Sequence, residues 1–155
     1  MATFSQNELK SGLNQGLWHY EIEGIAEAKD GNYLVKVWSF SNKPRISVDV
    51  AKKNAVHGII FKGYRGVSNK ISSQPPFSAV QNLEIEKYSF FEEFFGKNGA
   101  YSDYVEVLNE GAISPGDLIK VDKEYKIGLI VLIKKDDLRS YLVKQGIIPS
   151  LDSGF

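Results

Sequence analysis

The chain has 155 residues, 43% of them hydrophobic and 12% aromatic, which is enough apolar surface for one core without cross-links. Nineteen basic side chains cancel nineteen acidic ones, leaving no global field to draw the protein to nucleic acid or to an anionic bilayer. With no cysteine, disulfides, thiolate nucleophiles and cysteine-ligated metals are excluded, and the compartment stays open.

Residues 1–16 read as a peripheral tail without the charged and apolar regions of a secretory leader. No apolar run is long enough to cross a membrane, so a soluble chain is expected. From Trp18 the sequence WHYEIEGIAEA alternates, with Trp18, Tyr20, Ile22, Gly24, Ala26 and Ala28 on one face and Glu21, Glu23, Ile25 and Glu27 on the other. Asp30-Gly31 is the pair favoured by a two-residue type I′ turn, and the register it sets puts Ala28 opposite Tyr33, Ala26 opposite Val35 and Gly24 opposite Val37. Lys36 then lies among Glu23, Ile25 and Glu27, so charge pairing agrees with the turn.

After a loop at Pro44, Ser47 is a plausible helix cap with Asp49 in the first turn. Val48, Ala51, Ala55 and Ile59 follow at helical spacing, and Gly63 is the natural stop. The small Ala51 and Ala55 let this helix lie close on the hairpin. His57 shares a face with Lys53 and reads as a surface histidine. The stretch Tyr64–Pro76 reads as a long loop of a length that tends to move or carry function. In LEIEKYSFFEEFFGKNGAY, Ile85, Tyr88, Phe91 and Phe95 form one stripe with Phe90 and Phe94 beside it, giving a second helix that Gly96 ends. Strands follow at Tyr104–Leu108, Leu118–Val121 and Tyr125–Lys134, with a Ser-Pro-Gly-Asp turn at 114–117. A last helix is capped by Asp136 and stops at Gly146, and residues 149–155 form a second tail. The order ββ-α-α-ββ-β-α predicts a single α+β domain over 1–155, a mainly antiparallel sheet with about three helices on one face.

Catalytic and metal chemistry find little support. A zinc site needs three or four His, Cys or carboxylate ligands, and the histidines are His19 and His57 alone. Glu92-Glu93 and Asp136-Asp137 are neighbours on helices and point about 100° apart, so neither forms a converging acid–base pair. The glycines around Lys62 and Arg65 follow a helix C-terminus, where the dipole repels anions. No catalytic residue, metal or cofactor is expected, and the chain reads as a non-enzyme. Charge is nonetheless uneven: residues 43–83 carry seven basic groups and one acidic, and residues 84–124 four and ten. The candidate partner surface is therefore the basic edge Lys52, Lys53, Lys62, Tyr64, Arg65 and Lys70, together with Phe90 and Phe94 if these stay exposed.

The strand YEIEGIAEA, the helix VAKKNAVHGII and the closing YKIGLIVLIKKDDLRSYL together resemble bacterial envelope accessory domains, of the small outer-membrane lipoprotein and flagellar-assembly T-protein N-terminal type. The Asp30-Gly31 hairpin and the Phe-rich second helix depart from that pattern, and no cysteine is present to be lipidated. The resemblance implies a non-catalytic domain of the cell envelope or periplasm that acts by protein–protein contacts or self-association; without a removed leader the location would be cytoplasmic. Two alternatives stand beside it. One is a small-ligand-binding or hydrolytic protein with a pocket near residues 64–76. The other, weaker, is nucleic-acid binding along the 52–70 edge with Tyr64 as a stacking ring.

Overall fold

Asp30 and Gly31 take positive φ, 55° and 77°, and Lys29 pairs with Asn32 across them, so the hairpin turns where the Asp-Gly pair places it. A computed structural model describes residues 18–151; residues 1–16, expected as a tail, and most of the tail after 149 lie outside that range. The hairpin strands are β1 (Tyr20–Gly24) and β2 (Tyr33–Ser41). Their register differs from the expected one: Gly24 pairs with Val35, not Val37. Residues 25–28 stand against 33 and 34 alone, so the first strand carries two extra residues. The sheet edge joins at the same place, where the carbonyl of Gly24 accepts from the Val67 amide. A slip of two keeps each side chain on its own face, so Tyr20 is still buried and Glu21 exposed.

Ser47 caps α1 (Val48–Phe61), its Oγ accepting from the Val50 amide at 3.1 Å. Gly63, at φ 69°, ends it. The loop that follows is tied down. Tyr64 and Gln74 exchange two backbone hydrogen bonds of 2.9 Å, and β3 (Arg65–Gly66) adds to β1 as a parallel edge strand. The second expected helix is two, α2 (Leu83–Glu86) and α3 (Tyr88–Phe94), separated at Lys87, which leaves helical geometry at φ −107°, ψ 33°.

Beyond a 3₁₀ turn at Ala100–Tyr104, β4 (Val105–Val107) is shorter than expected, and a second 3₁₀ turn takes Leu108–Gly111. Then come β5 (Leu118–Val121), β6 (Glu124–Ile133) and α4 (Lys135–Lys144). Asp136 does not cap α4. Lys134 occupies the cap position, and Asp136 instead donates its amide to the Gly31 carbonyl at 3.1 Å, fastening the helix to the hairpin turn. Gly146, at φ 72°, stops the helix as expected.

The six-stranded sheet runs β3-β1-β2-β6, and because β2 occupies one side of β6 along nearly its whole length, β4 and β5 share the other side at opposite ends. All pairs are antiparallel except β1 with β3, and four helices accompany the sheet, which makes the fold α+β with a helix count and order that differ from expectation. Val35 and Val37 of β2 and Leu129 and Val131 of β6 join Ala51, Ala55 and Ile59 of α1, Phe91 of α3 and Leu138 and Leu142 of α4 in one core. The opposite sheet face carries ion pairs beside Leu34, Trp38 and Ile130: Lys36, which lies opposite Glu23, bonds Asp117 at 2.9 Å, and Lys126 bonds Glu21 at 3.0 Å. Among the described residues no helix is long and apolar enough to cross a membrane.

Candidate functional site

α1 lies against the sheet on one side and is covered on the other by α2, α3 and Trp18. A histidine expected at the surface therefore ends up 4% exposed, since the face it shares with Asn54 meets protein and not water. Three elements converge on His57. Tyr20 of β1 brings its hydroxyl to Nδ1 at 2.7 Å, and Glu84 of α2 brings its carboxylate to Nε2 at 3.0 and 3.2 Å. Trp18, just before β1, stacks on the imidazole at 4.0 Å between centroids and 17° between planes, and Phe61 lies at 4.7 Å.

The proton positions follow from the acceptors. A carboxylate only accepts, so Nε2–H donates to Glu84 and Nδ1 accepts from the Tyr20 hydroxyl. Burial pushes the His57 pKa below 6.5 despite the raising effect of Glu84, so the ring is neutral at pH 7. Burial, assisted by the Glu84 charge, pushes the Tyr20 phenol well above 10, which keeps it a donor. Both imidazole nitrogens are thus committed within the fold. The proton that Nδ1 is placed to accept is that of the Tyr20 hydroxyl, on a residue only 6% exposed.

Two clefts flank this cluster and share Trp18 and Glu84 as walls. The Tyr88 cleft, about 350 Å³, adds Tyr88, Phe91, Glu92 and Phe95. The Pro76 cleft, about 330 Å³, adds His57, Phe61, Lys62 and Pro76. Both volumes fall at the small end of ligand pockets. The Trp18 Nε1–H is buried and finds no partner among the described residues. It is an unmet donor on a residue that lines both clefts.

The residues singled out in the sequence are scattered by comparison. Lys53 and Lys62 do line the clefts, Lys53 with its ammonium 5.6 Å from the Tyr101 ring and Lys62 with its ammonium 3.9 Å above Tyr20. Lys52 donates to Ser102 at 3.3 Å on another side of α1. Arg65 and Lys70 are exposed along the β3 edge. Tyr64 is not a free stacking ring: it is 6% exposed and packs over Gly24, where an added Cβ would stand 2.2 Å from the ring. Phe94 is buried too, its ring stacked with Tyr141 of α4, while Phe90 is half-buried beside it. Sequence reasoning missed Glu84 and the inward turn of His57. The signal for both was weak: Glu84 stands next to the core residue Leu83, and His57 is followed by Gly58, which lets Tyr20 and Ile22 approach to within 3.4 Å of where a Cβ would be.

Among the described residues no group of three or more His, Cys, Asp or Glu side chains is placed to hold a metal ion. Compared with known proteins, the chain matches no family model, no curated protein and no solved structure.

Proposed function

We propose that this chain is a non-enzymatic binding domain whose site is the pair of clefts on either side of Trp18. The observation that carries it is the state of the cluster between them: a neutral histidine bonded on both nitrogens stacks on the Trp18 ring, which lines both clefts and whose indole N–H finds no partner among the described residues. Such an arrangement fixes the Trp18 ring as a shared wall of the two clefts. One of the two clefts adjoins Pro76, at the end of the segment where a ligand pocket was expected. The sequence has two tryptophans, so Trp38→Phe leaves Trp18 as the sole indole reporter. Soluble fragments carrying a hydrogen-bond acceptor are expected to shift the Trp18 Nε1–H resonance of that variant. A broad fragment set that leaves the resonance in place would remove the proposal.

A second reading, assembly at the bacterial cell envelope through protein contacts, is favoured by β5. This edge strand pairs with β6 alone among the described residues and exposes Leu118, Ile119 and Val121. Light scattering should then show association that rises with concentration and that Ile119→Lys abolishes. Monomers at every concentration for both proteins would discard it.

A further inference from the structure

We propose that the Tyr88 cleft receives the head group of a small organic cation, an alkylated or quaternary ammonium. The proposal rests on the clefts being a binding site and adds the chemical class of the ligand. Four aromatic side chains, Trp18, Tyr88, Phe91 and Phe95, contribute to its wall, and ring faces attract a desolvated cation through their quadrupole. Two carboxylates, Glu84 and Glu92, stand in the same wall. Glu92 is oriented by the Tyr88 hydroxyl, which donates to it at 2.7 Å. Glu84 is paired with an imidazole that carries no charge and shares its charge with Lys62 across the neighbouring cleft, so Glu92 is the carboxylate of this wall nearest to being free for a ligand.

The one cation of that wall is Lys53, and its ammonium is drawn toward Tyr101, which is not part of the cleft. The Pro76 cleft differs on this point. Lys62 lines it and would repel a second cation. The two volumes are nearly equal, so charge and aromatic content decide between them. An ammonium without N–H donors suits the Tyr88 cleft best, because four of its nine lining residues are aromatic and offer attraction without acceptor geometry.

The test uses the full chain with Trp38→Phe, titrated with choline and with 3,3-dimethylbutan-1-ol, the neutral molecule of the same shape, while Trp18 fluorescence is followed. Choline is expected to bind about tenfold more tightly than the alcohol. Adding Glu92→Gln, at an exposed position where folding is not at risk, should shrink that preference severalfold. Equal binding of the two molecules would overturn the cation proposal and leave the clefts a binding site. Binding of neither would overturn the cation proposal outright, and the fragment measurement on the Nε1–H resonance would then decide separately whether the clefts bind anything.

Discussion

Replacement of His57 by alanine is expected to cost about 3–5 kcal/mol of folding stability, the range for removing one partner of a buried, hydrogen-bonded pair and leaving a void. Three losses combine. The Glu84 carboxylate, 5% exposed, loses its donor; the Tyr20 hydroxyl loses its acceptor; and Trp18 loses the ring on which it stacks. Tyr20→Phe removes one hydroxyl and should cost only about 1 kcal/mol. Denaturant midpoints of the two variants would check the ordering, and similar losses for both would show that Glu84 does not depend on the imidazole.

The same histidine makes stability depend on pH in a direction that can be worked out. Its folded pKa is lowered by burial, while the unfolded value is near 6.5. Above 6.5 the ring is neutral in both states, and the full contribution is present. As pH falls through 6.5 toward the folded value, the unfolded chain takes up a proton that the folded chain refuses, so stability declines by at most about 1.4 kcal/mol per pH unit. This slope, which sets in before the carboxylates begin to titrate, should be absent from His57→Ala. A persisting slope would assign it to another group.

The second large effect concerns two glycines with nearly the same backbone. Gly63 and Gly146 both end helices, at φ 69° and 72°. A Cβ on Gly146 meets nothing within 4 Å, whereas one on Gly63 would lie 2.3 Å from the Gln74 carbonyl and 2.7 Å from the Pro76 nitrogen. Gly146→Ala therefore bears only the left-handed penalty, about 1 kcal/mol. Gly63→Ala bears that and a clash with main chain that cannot rotate aside, and should lose at least about 3 kcal/mol. Equal unfolding free energies for the two variants would mean that the 74–76 segment yields freely and is not pinned to the end of α1.

The features that local chemistry decides were legible in the sequence: the Asp30-Gly31 turn, the Ser47 cap, and the stops at Gly63 and Gly146 each depend on residues within a few positions. The errors arise where a distant segment intervenes. β1 slips by two beside the point where Val67, beyond α1, takes the Gly24 carbonyl. His57 turns inward because Trp18 and α2 close over a face that α1, taken alone, would leave to water. The Phe-rich helix breaks at Lys87, just past the turn that sends Glu84 inward to His57. The charge layout was legible in outline: Lys53 and Lys62 from the basic second quarter and Glu84 and Glu92 from the acidic third share the same clefts. Their depth was not legible, because it depends on where Trp18 comes to rest.

The pairing of β2 with β6 also governs how the molecule can be made. Tyr33 lies opposite Ile133, a hundred residues further along, and this ladder forms the centre of the sheet. Until that second strand has been synthesised, the emerging hairpin and α1 lack the strand beside them, and the loop that must close, residues 42–124, takes up more than half of the sequence. Assembly on the ribosome is therefore held back until β6 has emerged, and a product truncated before residue 124 would expose Val35 and Val37 to whatever chaperone or protease meets it first.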